Sequence, residues 1–448
     1  MGVPFLSLWA MTRSLLREHW IPLVALLILA HVLVLGSVAT MTQLSPIDEA
    51  AHFDYLVRFP DPPASGERMT EETLTVWACQ GVILSFEMPA CDVTPHDPDA
   101  FPGQAYNLAG THPPLYYAVT SGLAHVISGI LDISFFTAAR TVGAFWLSLL
   151  LMACYALAVT IGASRTAAVG ATALLAATPS LVTSAATLGP DVATATVGGI
   201  LILAVVKCDV GRRSALLITA LTVLAGLTKL TTFTAVGVAA LILVARAVTD
   251  RSRLGRPGIR NHLLLAITMV AIFLAVSLAW TSWSESRSTV DPGTIPQNTW
   301  FVTDTLDWSV FPANALQFLT PVNEGFIAPQ YASALQGRLE AYATGALVLG
   351  TVAAAWYARR RPTPGVLASA VLFMAVLAPA LLVAMNFGLY NQYFPVWSRY
   401  GFALIPGFVA AAAFAFRGRA TARALLTIAI LSALALMVQA APFNVLTI

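Results

Sequence analysis

Residues 46–55 read Pro46-Ile47-Asp48-Glu49-Ala50-Ala51-His52-Phe53-Asp54-Tyr55. They follow the first long apolar segment, Ile21 to Met41. Two adjacent carboxylates, Asp48 and Glu49, therefore stand where a membrane-spanning helix leaves the bilayer. His52 follows them by four and three residues, so a helix here puts all three near one face. Ser45 is placed to cap that helix, and Pro46 suits its first turn. The residues alone leave two readings open. One is an acidic helix start favoured by the helix dipole. The other is a carboxylate site.

Composition sets the frame. Of 448 residues, 58% are hydrophobic and 10% are charged, against roughly 25% charge in soluble domains. Mean hydropathy is +0.77. This is the signature of an integral membrane protein with many spans. No basic stripe with interleaved aromatics is present, which argues against nucleic acid as a partner. The four cysteines include no C-x-x-C pair, so no zinc or thioredoxin-type site is suggested. There is no Walker loop, no G-x-S-x-G elbow and no dinucleotide fingerprint.

The chain reads as a single membrane domain, 1–448, with two large polar loops at 42–131 and 285–337. Met1 to Trp20, with Arg13 and Arg17, resembles a cytoplasmic lead. The segment from Ile21 to Met41 is too long for the apolar core of a signal peptide, ~7–15 residues, and matches a span of ~30 Å of hydrocarbon. Later apolar runs lie at 137–162, 165–187, 190–207, 213–229, 231–249, 262–284, 338–358, 364–386, 399–417 and 421–441. Arg-rich connections at 207–213, 246–260, 359–361 and 417–423 are cytoplasmic by the positive-inside rule. Counting back from them places residues 42–112 outside only if 113–131 does not cross. That stretch is expected as an interfacial or re-entrant helix. The expected architecture is all-α, with 11 spans, the N-terminus inside and the C-terminus outside. The two outer loops then hold 16 of the 22 acidic residues, and 17 of the 24 basic ones face the cytoplasm. Cys79 and Cys91 share the first outer loop and are expected to pair as a disulfide.

On this topology the polar residues near apolar runs gather at the outer face. Arg140 and Asp191 start helices there. Lys229, one of two lysines, sits in the tight turn 226–232. Arg399 and Tyr400 follow a short outer loop. A membrane-edge cation snorkels to water or lines a polar cavity; snorkelling suits Arg140, while the tight turn leaves Lys229 little room for it. The second loop carries Trp300, Phe301, Trp308, Phe311, Phe318, Phe326 and Tyr331, as an interfacial aromatic belt or as a platform for a sugar or prenyl chain.

Three features together resemble the GT-C superfamily of polytopic glycosyltransferases. They are the acidic pair Asp48-Glu49 with His52, the element His112-Pro113-Pro114-Leu115-Tyr116-Tyr117 that closes the first loop, and the late Arg399-Tyr400 followed by Pro406. Within that superfamily the chain is most similar to an uncharacterised family of bacterial membrane proteins with an Asp-Glu-x-x-His motif. The resemblance implies an inverting transferase at the plasma membrane. It would move a sugar from a polyprenyl-phosphate donor to an envelope glycan or lipid acceptor. Asp48 would act as the base, and Glu49 would hold the acceptor, orient Asp48 or help bind a metal. Lys229 and Arg399 would meet the phosphate. His52, His112, Tyr116, Arg140, Asp191 and Tyr400 would line the substrate site. No cofactor is demanded, and a divalent metal stays open.

The main alternative is a transporter or flippase for a lipid-linked precursor. Such proteins place ionisable residues near the midplane in broken helices, often within internal repeats. Here the charges cluster at one face. A non-catalytic assembly protein, using the acidic loop as a docking surface, is the other.

Overall fold

The computed structural model describes residues 5–64, 66–82, 87–207, 209–290, 334–357, 362–390 and 396–440, with 295, 305, 312, 316–320, 322 and 393 between them. Helix α1 (Phe5–Thr40) is already helical across most of the expected lead, and its apolar part runs from Glu18 to Thr40. The first loop carries α2 (Glu49–Arg58) and α3 (Glu71–Gln80), and ends in α4 (Leu115–Leu131). Then come α5 (Phe135–Thr160), α6 (Arg165–Ala176), α7 (Pro179–Ala186), α8 (Asp191–Lys207), α9 (Arg212–Gly226), α10 (Phe233–Thr249) and α11 (Arg251–Ser286). After the second loop follow α12 (Ala334–Tyr357), α13 (Pro362–Tyr390), α14 (Ile405–Ala415) and α15 (Arg419–Ala440). The molecule is all-α. The only extended pairings among the described residues are two isolated bridges, Leu44 with Val82 and Arg68 with Tyr106.

Length and composition give eight candidate spans among the described residues, or nine if α6 and α7 count as one. The expected 11 also count α8 and α9, which have 17 and 15 residues, at or just below the short end of the ~17–25 that cross a bilayer. The expected span 165–187 is broken. Ser164 caps α6, but Pro179 cannot continue it and instead opens α7 at an angle of 65°. α4 is a shorter apolar helix and is not among the candidate spans.

Burial orders the bundle from inside out. The span Ser398–Ala415 is 83% buried, whereas the apolar part of α1 is 22% buried. The reason is local. The run Ala410 to Ala413 presents only methyl groups, so α5 and α12 approach it closely. α1 instead shows Ile21, Ile28 and Val32 to its surroundings, as a lipid-facing helix should.

The first loop is built around a residue that the motif reading passed over. The fully buried Asp54 carboxylate accepts from the Thr70 amide (2.7 Å) and hydroxyl (2.9 Å), the Thr73 hydroxyl (3.1 Å) and Asn107 Nδ2 (2.7 Å). Arg58 Nε lies 3.0 Å from it. One charge thus ties α2 to the start of α3 and to the loop's far end. Cys79 and Cys91 lie together as a disulfide, with Cα atoms 4.6 Å apart. In the second loop, Trp300, Phe301, Trp308, Phe311, Phe326 and Tyr331 lie outside the described residues. Phe318 is fully buried against Gly401, where a Cβ would meet its ring at 2.8 Å. It packs the turn that bears Arg399 rather than forming a platform.

Candidate active site

The helix predicted at the motif exists, but it begins three residues later than a Ser45 cap would need. Its N-cap is Asp48, held at φ 54°, ψ 11° in the left-handed region. Asp tolerates that region better than most side chains, because its short polar arm bonds locally. Ser45 does not cap the helix; its hydroxyl accepts from the Ile47 amide (3.2 Å). Glu49 reaches back instead and accepts from the Ser45 amide at 2.6 Å.

The bend at Asp48 sends the two carboxylates in opposite directions. Glu49 turns inward and is fully buried. Its Oε1 accepts from Arg140 Nε (2.8 Å) and the Leu188 amide (3.0 Å), and its Oε2 from Arg140 Nη2 (2.8 Å) and the Ser45 amide. Arg140, 2% exposed, spends its other hydrogens on the Met41 and Gln43 carbonyls. Glu49 is thus turned into the protein with its acceptor positions engaged, and Arg140 is buried against it instead of snorkelling. All four acceptor positions of the carboxylate are taken, so the pair is a buried clamp joining α1, α2, α5 and the exit of α7.

Asp48 turns outward, with its side chain 47% exposed. Its Oδ2 lies 3.6 Å from Arg399 Nη2. The turn Ser398–Leu404 that carries Arg399 packs against α8 and α10. Those helices bring Asp191 and Lys229, whose Nζ donates to Asp191 Oδ1 at 2.5 Å. Tyr400 lies under both cations, 5.5 Å from Lys229 Nζ and 5.4 Å from the Arg399 guanidinium carbon. Lys229 is 6% exposed and does not snorkel. A cleft opens here, with His52, Ser184, Thr187, Gly189, Asp191 and Arg399 among its lining.

The His112 element packs behind two residues of the cleft lining, His52 and Gly189. Trp280 and Ser284 of α11 donate to the Thr111 and Gly110 carbonyls. The Leu115 amide donates to Leu227 at the end of α9, which sets α4 beside the Lys229 turn. Tyr116 accepts from the Gly189 amide at 3.0 Å. The His52 and His112 rings stack at 5.4 Å. His52, which a helix puts near one face with the acidic pair, meets the Tyr117 hydroxyl through its Nδ1 at 2.7 Å. Tyr117 in turn stacks on Tyr55, 3.6 Å between centroids. The motif reading missed Tyr55 and the role of Tyr117, although Tyr55 sits six residues from Glu49 and Tyr117 ends the quoted second element. Burial pushes His52 well below the usual imidazole range, helped by His112, Lys229 and Arg399. Burial also takes His112 down to about 3, with Lys229 and Arg399 in support. Both rings are neutral at pH 7.

The donor set does not suit a divalent ion. Glu49 is saturated by Arg140 and two amides, and Asp191 is bound to Lys229. No group of three His, Cys, Asp or Glu side chains is gathered to hold a metal among the described residues. What the arrangement offers is an accessible carboxylate beside Arg399 at the edge of a cleft, with the Asp191–Lys229 pair at the same cleft through Asp191.

Known structures share this architecture. The archaeal oligosaccharyltransferase AglB of Archaeoglobus fulgidus, in complex with an inhibitory peptide and a dolichol-phosphate, superposes with a TM-score of 0.50 at 12% identity over 95% of this chain and 56% of its own. The fold is GT-C-like. ArnT of Cupriavidus metallidurans bound to undecaprenyl phosphate gives 0.48 at 17% identity, over 88% of this chain and 59% of its own. The Saccharomyces cerevisiae protein O-mannosyltransferase Pmt1-Pmt2 complex bound to the sugar donor gives 0.41 at 14% identity, over 64% of this chain and 38% of that one. The chain thus spans less than two thirds of each of these proteins. No family model matches the sequence, and no curated protein matches it.

Proposed function

We propose that this multi-pass membrane protein is an inverting glycosyltransferase that takes a sugar from a polyprenyl phosphate. The observation that carries the reading is the Asp48 carboxylate, exposed and 3.6 Å from Arg399, at a cleft that also holds the Asp191–Lys229 pair. A fold whose AglB representative holds dolichol-phosphate supports a seat for such a donor.

In the proposed step Asp48 accepts the proton of an acceptor hydroxyl. That oxygen attacks the anomeric carbon from the face opposite the phosphate. The bond from carbon to phosphate oxygen breaks, and its electron pair leaves with the polyprenyl phosphate. Arg399 and Lys229 stabilise the charge that grows on the leaving oxygens. Asp191 holds the Lys229 side chain in place through their 2.5 Å hydrogen bond. Direct displacement inverts the anomeric centre. The acceptor would be an envelope glycan or lipid on the outer face, since 17 of 24 basic residues fall on the opposite side in the charge-based topology.

The test is a deletion strain complemented with wild type or Asp48→Asn. Wild type should restore one missing envelope sugar; the variant, present at the same level, should leave it missing with the lipid donor accumulated. Transfer retained by the variant sinks the assignment of the base. An active alkaline-phosphatase fusion within 251–260 would overturn the orientation.

A further inference from the structure

The Tyr117 hydroxyl decides which hydrogen His52 shows to the cleft. Tyr117 is fully buried, and its hydroxyl makes a single hydrogen bond, to His52 Nδ1 at 2.7 Å. A phenol has one hydrogen to give, and a buried hydroxyl that gives it to nothing forfeits a hydrogen bond. Among the described residues the only acceptor within reach is Nδ1. Tyr117 must therefore donate, Nδ1 must carry the lone pair, and the hydrogen of the neutral ring sits on Nε2. Burial pushes the Tyr117 phenol up, so this hydrogen stays in place.

Among the described residues, Nε2–H has no acceptor. His52 is 4% exposed, lines the cleft, and holds Nε2 beside Gly189, 3.8 Å from where a Cβ there would stand. Arg399 and Asp191 line the same space. Gly189 leaves the approach to Nε2 open, because any side chain would fill it. A donor in the cleft wall with its hydrogen fixed on Nε2 is placed to meet an acceptor that arrives with the ligand.

We infer that His52 is a specificity-determining residue whose Nε2–H, fixed by Tyr117, donates to an oxygen of the bound glycosyl phosphate. This rests on the reading of the cleft as a glycosyl-phosphate site. The oxygen belongs to the phosphate or to a sugar hydroxyl, both of which accept from a neutral imidazole. Being uncharged, the ring adds no third cation beside Lys229 and Arg399. It selects by geometry and leaves charge stabilisation to them.

The test is 15N NMR of histidine-labelled full-length protein in lipid nanodiscs, with His52 assigned by its loss in His52→Gln. Of seven histidines, His52 should show a neutral Nε2–H tautomer at pH 7 before any lipid is added. A charged ring, or a hydrogen on Nδ1, overturns the inference. Tyr117→Phe should scramble the tautomer; an unchanged His52 signal counts against the fixing role. Undecaprenyl phosphate is then titrated in, followed by undecaprenyl phosphates carrying glucose, mannose or galactose. A His52 shift with the bare phosphate assigns the phosphate oxygen, and a shift only with a glycosylated lipid assigns the sugar. His52→Phe should weaken the binding at least tenfold, and His52→Gln, which keeps an N–H donor, should restore part of it. Lipid binding that moves neither the His52 signal nor the affinity of His52→Phe overturns the contact. Wild-type protein that binds none of these lipids overturns the glycosyl-phosphate reading itself and the contact with it, while the tautomer stands as measured.

Discussion

The Glu49 carboxylate and the Arg140 guanidinium meet side-on through two 2.8 Å hydrogen bonds, both groups buried. An acid that the sequence places beside the proposed base is thus a structural clamp. Removing one partner leaves the other charge buried and unpaired, which typically costs about 3–5 kcal/mol. Glu49→Leu and Arg140→Leu should each lower the melting temperature and expression level sharply. The double variant should lose less than the sum of the two. Thermal unfolding in detergent checks this, and strict additivity would show that the charges do not depend on each other.

Asp48 separates backbone from chemistry. Its left-handed conformation favours Asn and Gly over Ala. Asp48→Asn and Asp48→Gly should leave stability near wild type. Asp48→Ala should lose roughly 1 kcal/mol to strain. All three should lose transfer by about 10²–10⁴-fold, the range expected for a missing general base. Equal stability of all three, by thermal shift, would rule out the strain argument.

Acid should weaken the fold through His112 and His52, both in the first loop. Each is depressed in the folded state, so the folded protein resists protonation while the unfolded chain accepts it near pH 6.5. Above about 6.5 their contribution is flat. Below it stability falls, and for His112 the fall continues until its folded-state value of about 3. Melting temperatures at pH 7.5, 6 and 5 should decline in that order. His112→Asn should flatten the decline, and a slope unchanged by that variant removes His112 as its source.

The Cys79–Cys91 pair spans 12 residues of sequence. Closing a loop of that size stabilises by about 3 kcal/mol in the chain-entropy picture. Alkylation of unfolded protein should label both cysteines only after reduction, and Cys79→Ser should lower loop stability to proteolysis. Equal labelling with and without reductant would show that the bond does not form in the cell.

Glu340 of α12 accepts from both the amide and the hydroxyl of Ser180. It holds the start of α7, as Glu49 holds the Leu188 amide at its exit. Glu340→Gln keeps a carbonyl acceptor and should be mild. Glu340→Leu strands buried donors, at about 1–3 kcal/mol, and should raise KM by shifting Ser184 and Thr187 in the cleft wall. Wild-type KM in the leucine variant would confine Glu340 to stability.

The sequence by itself determined the all-α membrane architecture, because bilayer hydrocarbon admits only helices and closed barrels, and long unbroken apolar runs satisfy their backbone as helices. It also marked which residues carry charge at a membrane edge: Asp48, Glu49, Arg140, Asp191, Lys229 and Arg399 are conspicuous in a chain with so few ions. It gave neither the bend at Pro179 nor the helix lengths of 15 to 17 residues in α8 and α9, which are properties of packed backbone. It left undecided which of the adjacent acids faces solvent. One left-handed residue, Asp48, makes that choice by turning Glu49 toward an arginine 91 positions away. The same holds for Lys229 with Asp191 and for His52 with Tyr117. Pairing across such separations is invisible to local pattern, because it is set by how α4, α5, α8 and the Arg399 turn pack against one another.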